Sequence, residues 1–335
     1  MKFGVLQFFS WPERRVSLRT VYERAVQRVQ IMDGAGYDAV WLAEHHFTGY
    51  SVCPSVHMMG VHIANHTRNI RIGMAVSLAA FYHPLRLAEE VAFLDVLSGG
   101  RVNWGAGRGF DPIEFKVFGV PAEESARRFH EAVEIVLACW TQERVNWSGQ
   151  YWKFENVEVL PKPLQQPHPP VWLAAGSEGA ATWAGKRGYS IMLGPHSTFQ
   201  ENVAHHEIYS RALEAHGFSS AGRDIPMARL VAVAETDSAA EEITRSGVRW
   251  LASAYMNPSK VTNPGSKEQA TLLTMEKSAQ LARYLDSVVL HGSPARVIDQ
   301  IEWLHKEMRL DYLMVAPLGH ASFTMFTEKV MPHFL

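Results

Sequence analysis

The sequence has few cysteines, no excess of charge and no long apolar run. Of its 335 residues only Cys53 and Cys139 are cysteines, so a disulfide framework is excluded. Thirty-two basic against 34 acidic side chains give a net charge of −2, which offers no electrostatic reason to bind nucleic acid or an anionic membrane. No stretch approaches the ~18 apolar residues of a membrane helix, and the N-terminus lacks the apolar core of a secretory signal. We therefore expect a cytoplasmic protein that binds neither nucleic acid nor membrane.

The sequence does contain a regular alternation of strand-like and helix-like segments. Eight short β-rich runs, each followed by at least one helix, are predicted at 3–8, 37–43, 70–77, 101–106, 171–175, 189–193, 227–234 and 311–316. Such alternation predicts a parallel sheet, and eight units in this length favour an α/β fold of the (β/α)₈ TIM-barrel type over a doubly wound sheet. We expect residues 1–335 to form one barrel domain with short insertions near 145–170 and 257–290.

The second predicted strand ends in two histidines and a carboxylate, Glu44-His45-His46. Active-site residues of such barrels lie at the carboxyl ends of the strands, so a catalytic histidine is one interpretation. The alternative is an imidazole that satisfies a buried backbone group. Adjacent side chains on an extended segment point to opposite faces, so only one histidine faces the barrel mouth. His62 and His66 have the spacing of a metal pair but lie at the wrong end of the barrel, and no metal is expected.

A glycine-rich loop with one arginine, Gly105–Gly109, follows the fourth strand. The third glycine of a dinucleotide fingerprint is replaced by Phe110, so that motif is absent. Asp111-Pro112 follows, and no helix is expected to begin there. Arg108 either clamps a phosphate or is an exposed arginine in a tight loop.

Ser177 follows the fifth strand and begins a predicted helix. It is either a plain N-cap or part of an anion site at the positive end of the helix dipole. Because Arg108 and Ser177 lie on adjacent strand ends, one phosphate is expected between them. Aromatic residues near the strand ends indicate an apolar mouth, large enough for a planar cofactor or an apolar substrate: Phe8, Phe9, Trp11, Phe81, Tyr82 and Phe110.

Several segments together resemble the bacterial luciferase-like flavin-dependent monooxygenases. These segments are residues 1–4, 36–47, 105–109, 159–163 with the PHPP that follows, and 330–334. The resemblance implies a (β/α)₈ barrel that takes reduced FMN from a separate flavin reductase. It also implies that a flavin C4a-hydroperoxide, formed with O₂, oxygenates a small, apolar organic substrate. A homodimer, packed through the helices after the second and third strands, is expected as well.

The resemblance also assigns roles to individual residues. His45 matches the catalytic histidine of the family, and the expected cofactor contacts are Ala75, Val76, Gly107, Arg108, Arg128, Gly176 and Ser177. The Ala75–Val76 bond falls where the family often has a non-prolyl cis peptide beside the flavin ring. Arg128 is expected to replace a second phosphate arginine, whose position holds Ala126.

The chain also departs from luciferase itself. Gly107 stands where luciferase has a reactive cysteine, and Gly176 where it has an acidic residue. These changes argue against light emission more than against flavin binding. Two other functions stay open: hydride transfer with a reduced deazaflavin on the same barrel, and flavin binding without catalysis.

Overall fold

The computed structural model describes residues 1–254, 277–308 and 310–335 of the chain. The strands are β1 Lys2–Gln7, β2 Ala39–Leu42, β3 Arg71–Met74, β4 Ser77–Leu78, β5 Val102–Gly107, β6 Val145–Ser148, β7 Lys153–Val157, β8 Val171–Ala174, β9 Ser190–Met192, β10 Met227–Val233, β11 Leu290–Gly292 and β12 Tyr312–Pro317. The helices are α1 Leu18–Ala35, α2 Val56–His66, α3 Pro84–Leu97, α4 Pro112–Phe118, α5 Ser125–Thr141, α6 Glu178–Arg187, α7 Phe199–Ala215, α8 Asp237–Ala254, α9 Lys277–Ser287, α10 Pro294–Met308 and α11 His320–Met325.

A curled parallel sheet forms the centre of the molecule, which confirms the predicted α/β barrel class. The strands run in the order β11-β10-β12-β1-β2-β3-β5-β8-β9, and the first strand of the chain pairs with the last. The two ends of the sheet meet at Leu193, which forms an isolated bridge with Met227. There the N–H of Leu193 donates to the carbonyl of Pro226 at 2.9 Å, and the N–H of Ala228 donates to the carbonyl of Leu193 at 2.9 Å.

The side chains of each strand alternate between the inside of this curl and the surrounding helices. Trp41 points inward and meets Trp172 edge-on, with ring centroids 5.3 Å apart. Its neighbours Val40 and Leu42 belong instead to the larger buried cluster that the helices cover. The interior around Trp41 and Trp172 is therefore filled by large side chains.

The predicted strands agree closely with the observed ones, although the third is divided into β3 and β4. The excursion near 145–170 is an antiparallel hairpin of β6 and β7, in which Val145 pairs with Val157. In the excursion near 257–290, residues 257–276 lie outside the described residues, and the remainder contains α9 and the start of β11. No helix of the described residues is long and apolar enough to cross a membrane.

One prediction about the glycine-rich loop is wrong. We expected no helix to begin at Asp111-Pro112, but α4 begins at Pro112, and the Asp111 side chain caps it by accepting the N–H of Ile113 at 3.0 Å. Proline at the first helical position costs nothing, since its missing N–H would have no partner inside the helix. This short helix lies over the site described next.

Candidate active site

The residues predicted to form the site are brought to one rim of the sheet. His45 follows β2, Ala75 and Val76 lie between β3 and β4, Gly107 ends β5, and Gly176 and Ser177 follow β8. Because these strands are parallel, their carboxyl ends share one edge. Arg128 comes from helix α5 instead.

Arg108 and Ser177 stand at neighbouring strand ends. β5 pairs with β8, with Ala106 opposite Leu173. Ser177 is the N-cap of α6, and its Oγ accepts a backbone N–H of the first turn at 3.3 Å. Burial lowers the pKa of the Arg108 guanidinium, whose Nη1 lies 3.5 Å from the Oγ of Ser125. A half-buried cation beside a helix N-terminus is a geometry suited to an anion.

Arg128 has protein partners of its own. Its Nε donates to the Glu124 carboxylate at 2.9 Å, and its guanidinium lies 4.4 Å from the centre of the Tyr151 ring. These contacts already compensate the charge of Arg128. Its expected role as a second phosphate ligand stays a prediction.

Two glycines of the rim differ in their surroundings. A Cβ added at Gly107 would overlap the Cγ2 of Val76 and lie 3.2 Å from its Cβ, so this position requires glycine for packing. A Cβ at Gly176 would meet no heavy atom within 4 Å, so the backbone there is open to a ligand. The Ala75–Val76 peptide bond is cis, as the resemblance led us to expect.

His45 lies at the centre of this rim with only 10% of its side chain exposed. Its backbone N–H donates to the carbonyl of Cys53 at 3.2 Å, which fixes the segment. The ring meets Tyr50 and Phe110 edge-on, at centroid distances of 5.0 and 5.7 Å. Its Nδ1 lies 3.7 Å from Oε1 of Glu114. Nothing described here has the ring hydrogen-bonded to a buried backbone group, which weakens the purely structural interpretation.

Glu44 and His46 form hydrogen bonds that connect the segments around the rim. The buried Glu44 carboxylate accepts the Tyr82 hydroxyl at 3.0 Å and the Leu78 N–H at 3.3 Å, and lies 3.1 Å from Nε2 of His46. The His46 ring packs on Phe118, whereas the His45 ring does not. The two adjacent histidines therefore have separate surroundings, as predicted.

Comparison with known proteins identifies the family. Residues 1–308 match the family model of luciferase-like monooxygenases. The chain belongs to that family.

Curated relatives of this luciferase-like protein align over part of their length. The protein y4wF of Sinorhizobium fredii is 37% identical over 177 residues, which cover 52% of each chain. The oxygenase component of a flavin-dependent trigonelline monooxygenase of Acinetobacter baylyi is 29% identical over 205 residues, which cover 61% of this chain and 57% of that protein. The chain thus spans about half the length of the first curated relatives that it matches.

Solved structures cover the whole luciferase-like fold. Monooxygenase RslO1 from Streptomyces bottropensis has a TM-score of 0.84 and 27% identity over 100% of both chains. The oxygenating constituent of 3,6-diketocamphane monooxygenase from Pseudomonas putida, solved with FMN, has a TM-score of 0.80 and 20% identity over 100% of this chain and 99% of that one. An F420-dependent secondary alcohol dehydrogenase reaches 0.76 at 17% identity over 98% of both chains. The last two likenesses concern the fold alone.

The rim of this luciferase-like protein has the donor set that a flavin mononucleotide needs. Arg108 and the α6 N-terminus suit its phosphate, and the open backbone at Gly176 leaves space beside them. The side chain of Val76, held against Gly107, offers an apolar contact for a planar ring. The residues present therefore fit the cofactor that the family uses.

Sequence reasoning missed Glu114, which lies on α4 and is completely buried. Its Oε1 accepts the backbone N–H of His46 at 2.9 Å and faces His45. A single glutamate 68 residues from its partner carries no periodic signal. The capping pair Asp111-Pro112 was the one signal that predicts the helix on which it lies.

A second missed group lies on the opposite side of His45. Nε2 of His196 is 3.1 Å from the Tyr50 hydroxyl, and its Nδ1 is 3.1 Å from the Tyr284 hydroxyl. Desolvation, followed by the electrostatic effects of His45, Arg283 and Arg229, lowers the pKa of His196 to about 3, so its ring is neutral. Trp250 stacks on Tyr50 at 6.0 Å. This side of the site therefore combines aromatic rings and a neutral histidine with Arg283, which donates to the His196 carbonyl at 3.0 Å and is paired with Glu201.

His62 and His66 lie on α2, away from this rim, with ring centroids 4.5 Å apart. Nδ1 of His66 bonds the carbonyl of His62 at 2.8 Å. Within residues 1–254, 277–308 and 310–335 there is no cluster of three groups able to hold a metal ion.

Proposed function

We propose that this protein is the oxygenase component of a two-component flavin monooxygenase. It takes reduced FMN from a separate flavin reductase and uses O₂ to oxygenate a small, apolar organic molecule. The observation that carries the proposal is that Arg108 and the N-terminus of α6 follow neighbouring strands, at the same rim as His45. Names of relatives support it, since one is the oxygenase component of a flavin-dependent monooxygenase.

The phosphate end of the cofactor belongs between Arg108 and Ser177. Removing a guanidinium from water has already lowered the pKa of Arg108, and a bound phosphate offsets that desolvation. The first-turn N–H groups of α6 add donors along the helix axis. The cofactor ring then extends past Gly107 and Val76, with Ala75 beside it.

Bound reduced FMN supplies the two electrons with which O₂ is activated. The protein has to exclude water from the site and to hold or transfer one proton. His45 is suited to the second task because its ring is 90% buried yet keeps contact with the rim. Tyr50 and Phe110 cover the ring edges and exclude water.

The side chains that line the substrate side of the site favour an apolar substrate, such as a ring-containing molecule or a hydrocarbon. Phe8 packs on Tyr50 at 5.0 Å, and Tyr50 stacks on Trp250, so the wall opposite the phosphate corner is aromatic. The neutral His196 offers hydrogen bonding without charge. The arginine on this side, Arg283, is already paired with Glu201 at 2.6 Å, so it does not favour an anionic substrate.

We further propose that the chain forms one domain and a homodimer in a reducing compartment such as the cytoplasm. Exposed apolar side chains lie on α2 and α3, the helices through which the resemblance predicts dimer contacts: Met58, Val61, Phe93, Val96 and Leu97. Both cysteines are buried as free thiols, and desolvation raises the pKa of Cys53 to about 12.

Binding of flavins to Arg108→Ala tests the phosphate assignment. A charge-assisted contact contributes about 1.5–3 kcal/mol, so the affinity for reduced FMN should fall roughly 10- to 150-fold. Riboflavin, which has no phosphate, should bind the variant as it binds the wild type. Arg19→Ala, at an exposed arginine paired with Glu23 on α1, is the control. Equal losses for both flavins would refute the assignment.

A deazaflavin-dependent hydride transfer remains the second candidate, because an F420-dependent alcohol dehydrogenase shares this fold. Turnover assays with each reduced cofactor distinguish the two candidate functions. The monooxygenase should consume O₂ with reduced FMN and an added reductase, and should not oxidise NADH alone. Turnover of a reduced deazaflavin without O₂ would favour the second candidate, and binding without either turnover would indicate a non-catalytic flavin protein.

A further inference from the structure

The Glu114 carboxylate is fully buried, and its two oxygens differ in their hydrogen bonding. Oε1 accepts the backbone N–H of His46 at 2.9 Å. Oε2 has no hydrogen-bond partner within the described part of the chain. A buried carboxylate that lacks donors is costly, so such a group needs an explanation from the side chains around it.

The nearest titratable side chain is His45, whose Nδ1 lies 3.7 Å from Oε1. That distance suits an ion pair and is slightly too long for a hydrogen bond, and a small rotation of the imidazole would bring Nδ1–H into bonding range. The His45 ring has freedom to make that rotation, because its other neighbours, Tyr50 and Phe110, are aromatic edges.

The fold holds Glu114 rigidly for this purpose. It is the third residue of α4, and its N–H donates to the carbonyl of Asp111 at 3.0 Å in the capped first turn. The next residue, Phe115, anchors the helix against Phe81 at a ring distance of 5.0 Å. A carboxylate on a capped and anchored turn can fix the direction of a mobile ring.

We propose that Glu114 is the positioning residue of His45. It accepts the Nδ1–H of His45, which leaves Nε2 as the nitrogen that faces the reacting atoms, and it stabilises the imidazolium while His45 holds a proton. This role rests on the proposed function of His45, but the proposed hydrogen bond requires neither cofactor nor substrate and can be tested without them. Other groups facing His45 are the neutral His196, beyond Tyr50, and the Tyr50 hydroxyl; the nearby Glu44 is bound to His46 and Tyr82.

The test is the tautomer of His45 in flavin-free protein, measured by ¹⁵N NMR of histidine-labelled chain at a pH where the ring is neutral. His45→Gln identifies the signal by its loss. The wild type should show Nδ1–H with a bare Nε2. In Glu114→Leu neither oxygen is left to accept the Nδ1–H of His45, so the tautomer should change to Nε2–H.

A matched control is Glu302→Gln, which removes the carboxylate of an exposed pair with His333 at 2.8 Å and should leave the His45 signal unchanged. Glu114→Asp keeps the charge and should keep the Nδ1–H tautomer. With the cofactor loaded, Glu114→Gln should lower the ratio of product to hydrogen peroxide roughly tenfold or more, with FMN affinity unchanged.

An Nε2–H tautomer in the wild type would overturn the proposal even if Glu114→Leu failed to fold. An unchanged tautomer in a folded Glu114→Leu would overturn it as well. Neither result depends on turnover, so failure of the monooxygenase function, seen as loss of O₂-dependent activity in the wild type, is distinguished from failure of the positioning role.

Discussion

Replacing Gly107 by alanine probes the cofactor ring in the way that Arg108→Ala probes its phosphate. The added methyl would overlap Cγ2 of Val76 and lie 3.2 and 3.4 Å from its Cβ and Cγ1. Overpacking of this kind costs about 1–3 kcal/mol when neighbours must shift. In flavin-free protein Val76 can move toward the open rim, so the melting temperature should fall by about 1–4 °C.

Bound flavin removes that freedom, because a ring packed against Val76 blocks its movement. The strain then opposes binding, and the dissociation constant should rise roughly 5- to 150-fold. The rise should be the same for FMN and riboflavin, since the ring and not the phosphate is affected. Equilibrium titration followed by flavin fluorescence measures both constants in one series with Arg108→Ala.

Gly34→Ala is the matched control for this substitution. It lies in α1, which contributes no residue to the proposed flavin site, and an added Cβ there meets nothing within 4 Å, so the change should stabilise the chain by about 0.4–1 kcal/mol without changing flavin affinity. A Gly107→Ala variant with a lowered melting temperature and unchanged affinity for both flavins would show that the ring does not lie against Val76, and the assignment of Gly107 and Val76 would be abandoned.

Two further predictions concern histidines. His45→Ala should keep FMN affinity, because the phosphate is held by Arg108 and α6, while substrate oxygenation falls by roughly 10²–10⁴ and hydrogen peroxide accumulates; a variant that melts lower yet keeps normal coupling would reject the catalytic role. Desolvation, then Arg187 and Arg108, lower the pKa of His130 to about 4 from an ordinary value of 6.5. The unfolded chain therefore binds this proton first, and the free energy of unfolding should fall as pH drops from 6.5 to 4, by at most about 1.4 kcal/mol per pH unit. His130→Phe, which keeps the ring stacked on Trp183 at 3.8 Å, should flatten that slope in urea unfolding at several pH values, and an unchanged slope would count against the pKa assignment.

Most of the fold could be predicted from the sequence because a (β/α)₈ barrel repeats one strand–helix unit. The strand predicted at 227–234 is observed at Met227–Val233, and the strand predicted at 311–316 is observed at Tyr312–Pro317. Periodic burial marks each element locally, so no knowledge of distant contacts is needed. The predicted neighbours Arg108 and Ser177 followed from the order of consecutive strands alone.

The parts of the site that were missed depend on contacts between distant segments. Glu114 reaches His45 through a seven-residue helix, and His196 reaches Tyr50 across 146 residues. Neither contact leaves a spacing that a single sequence can reveal. The three-residue strand β11 was missed because it begins at the end of the segment near 257–290, which was interpreted as an insertion.

The sheet closes unevenly, so two parts of the rim are joined in different ways. Among the described residues a single bridge, Leu193 with Met227, joins β9 to β10, whereas β5 and β8 share a ladder of three residue pairs. Side chains make part of the connection at the first of these places: Arg283 donates to the carbonyl of His196 at 3.0 Å, and Arg229 donates to the carbonyl of Ser197. The rim is therefore held together largely by arginine side chains near His196 and by backbone pairing near Arg108.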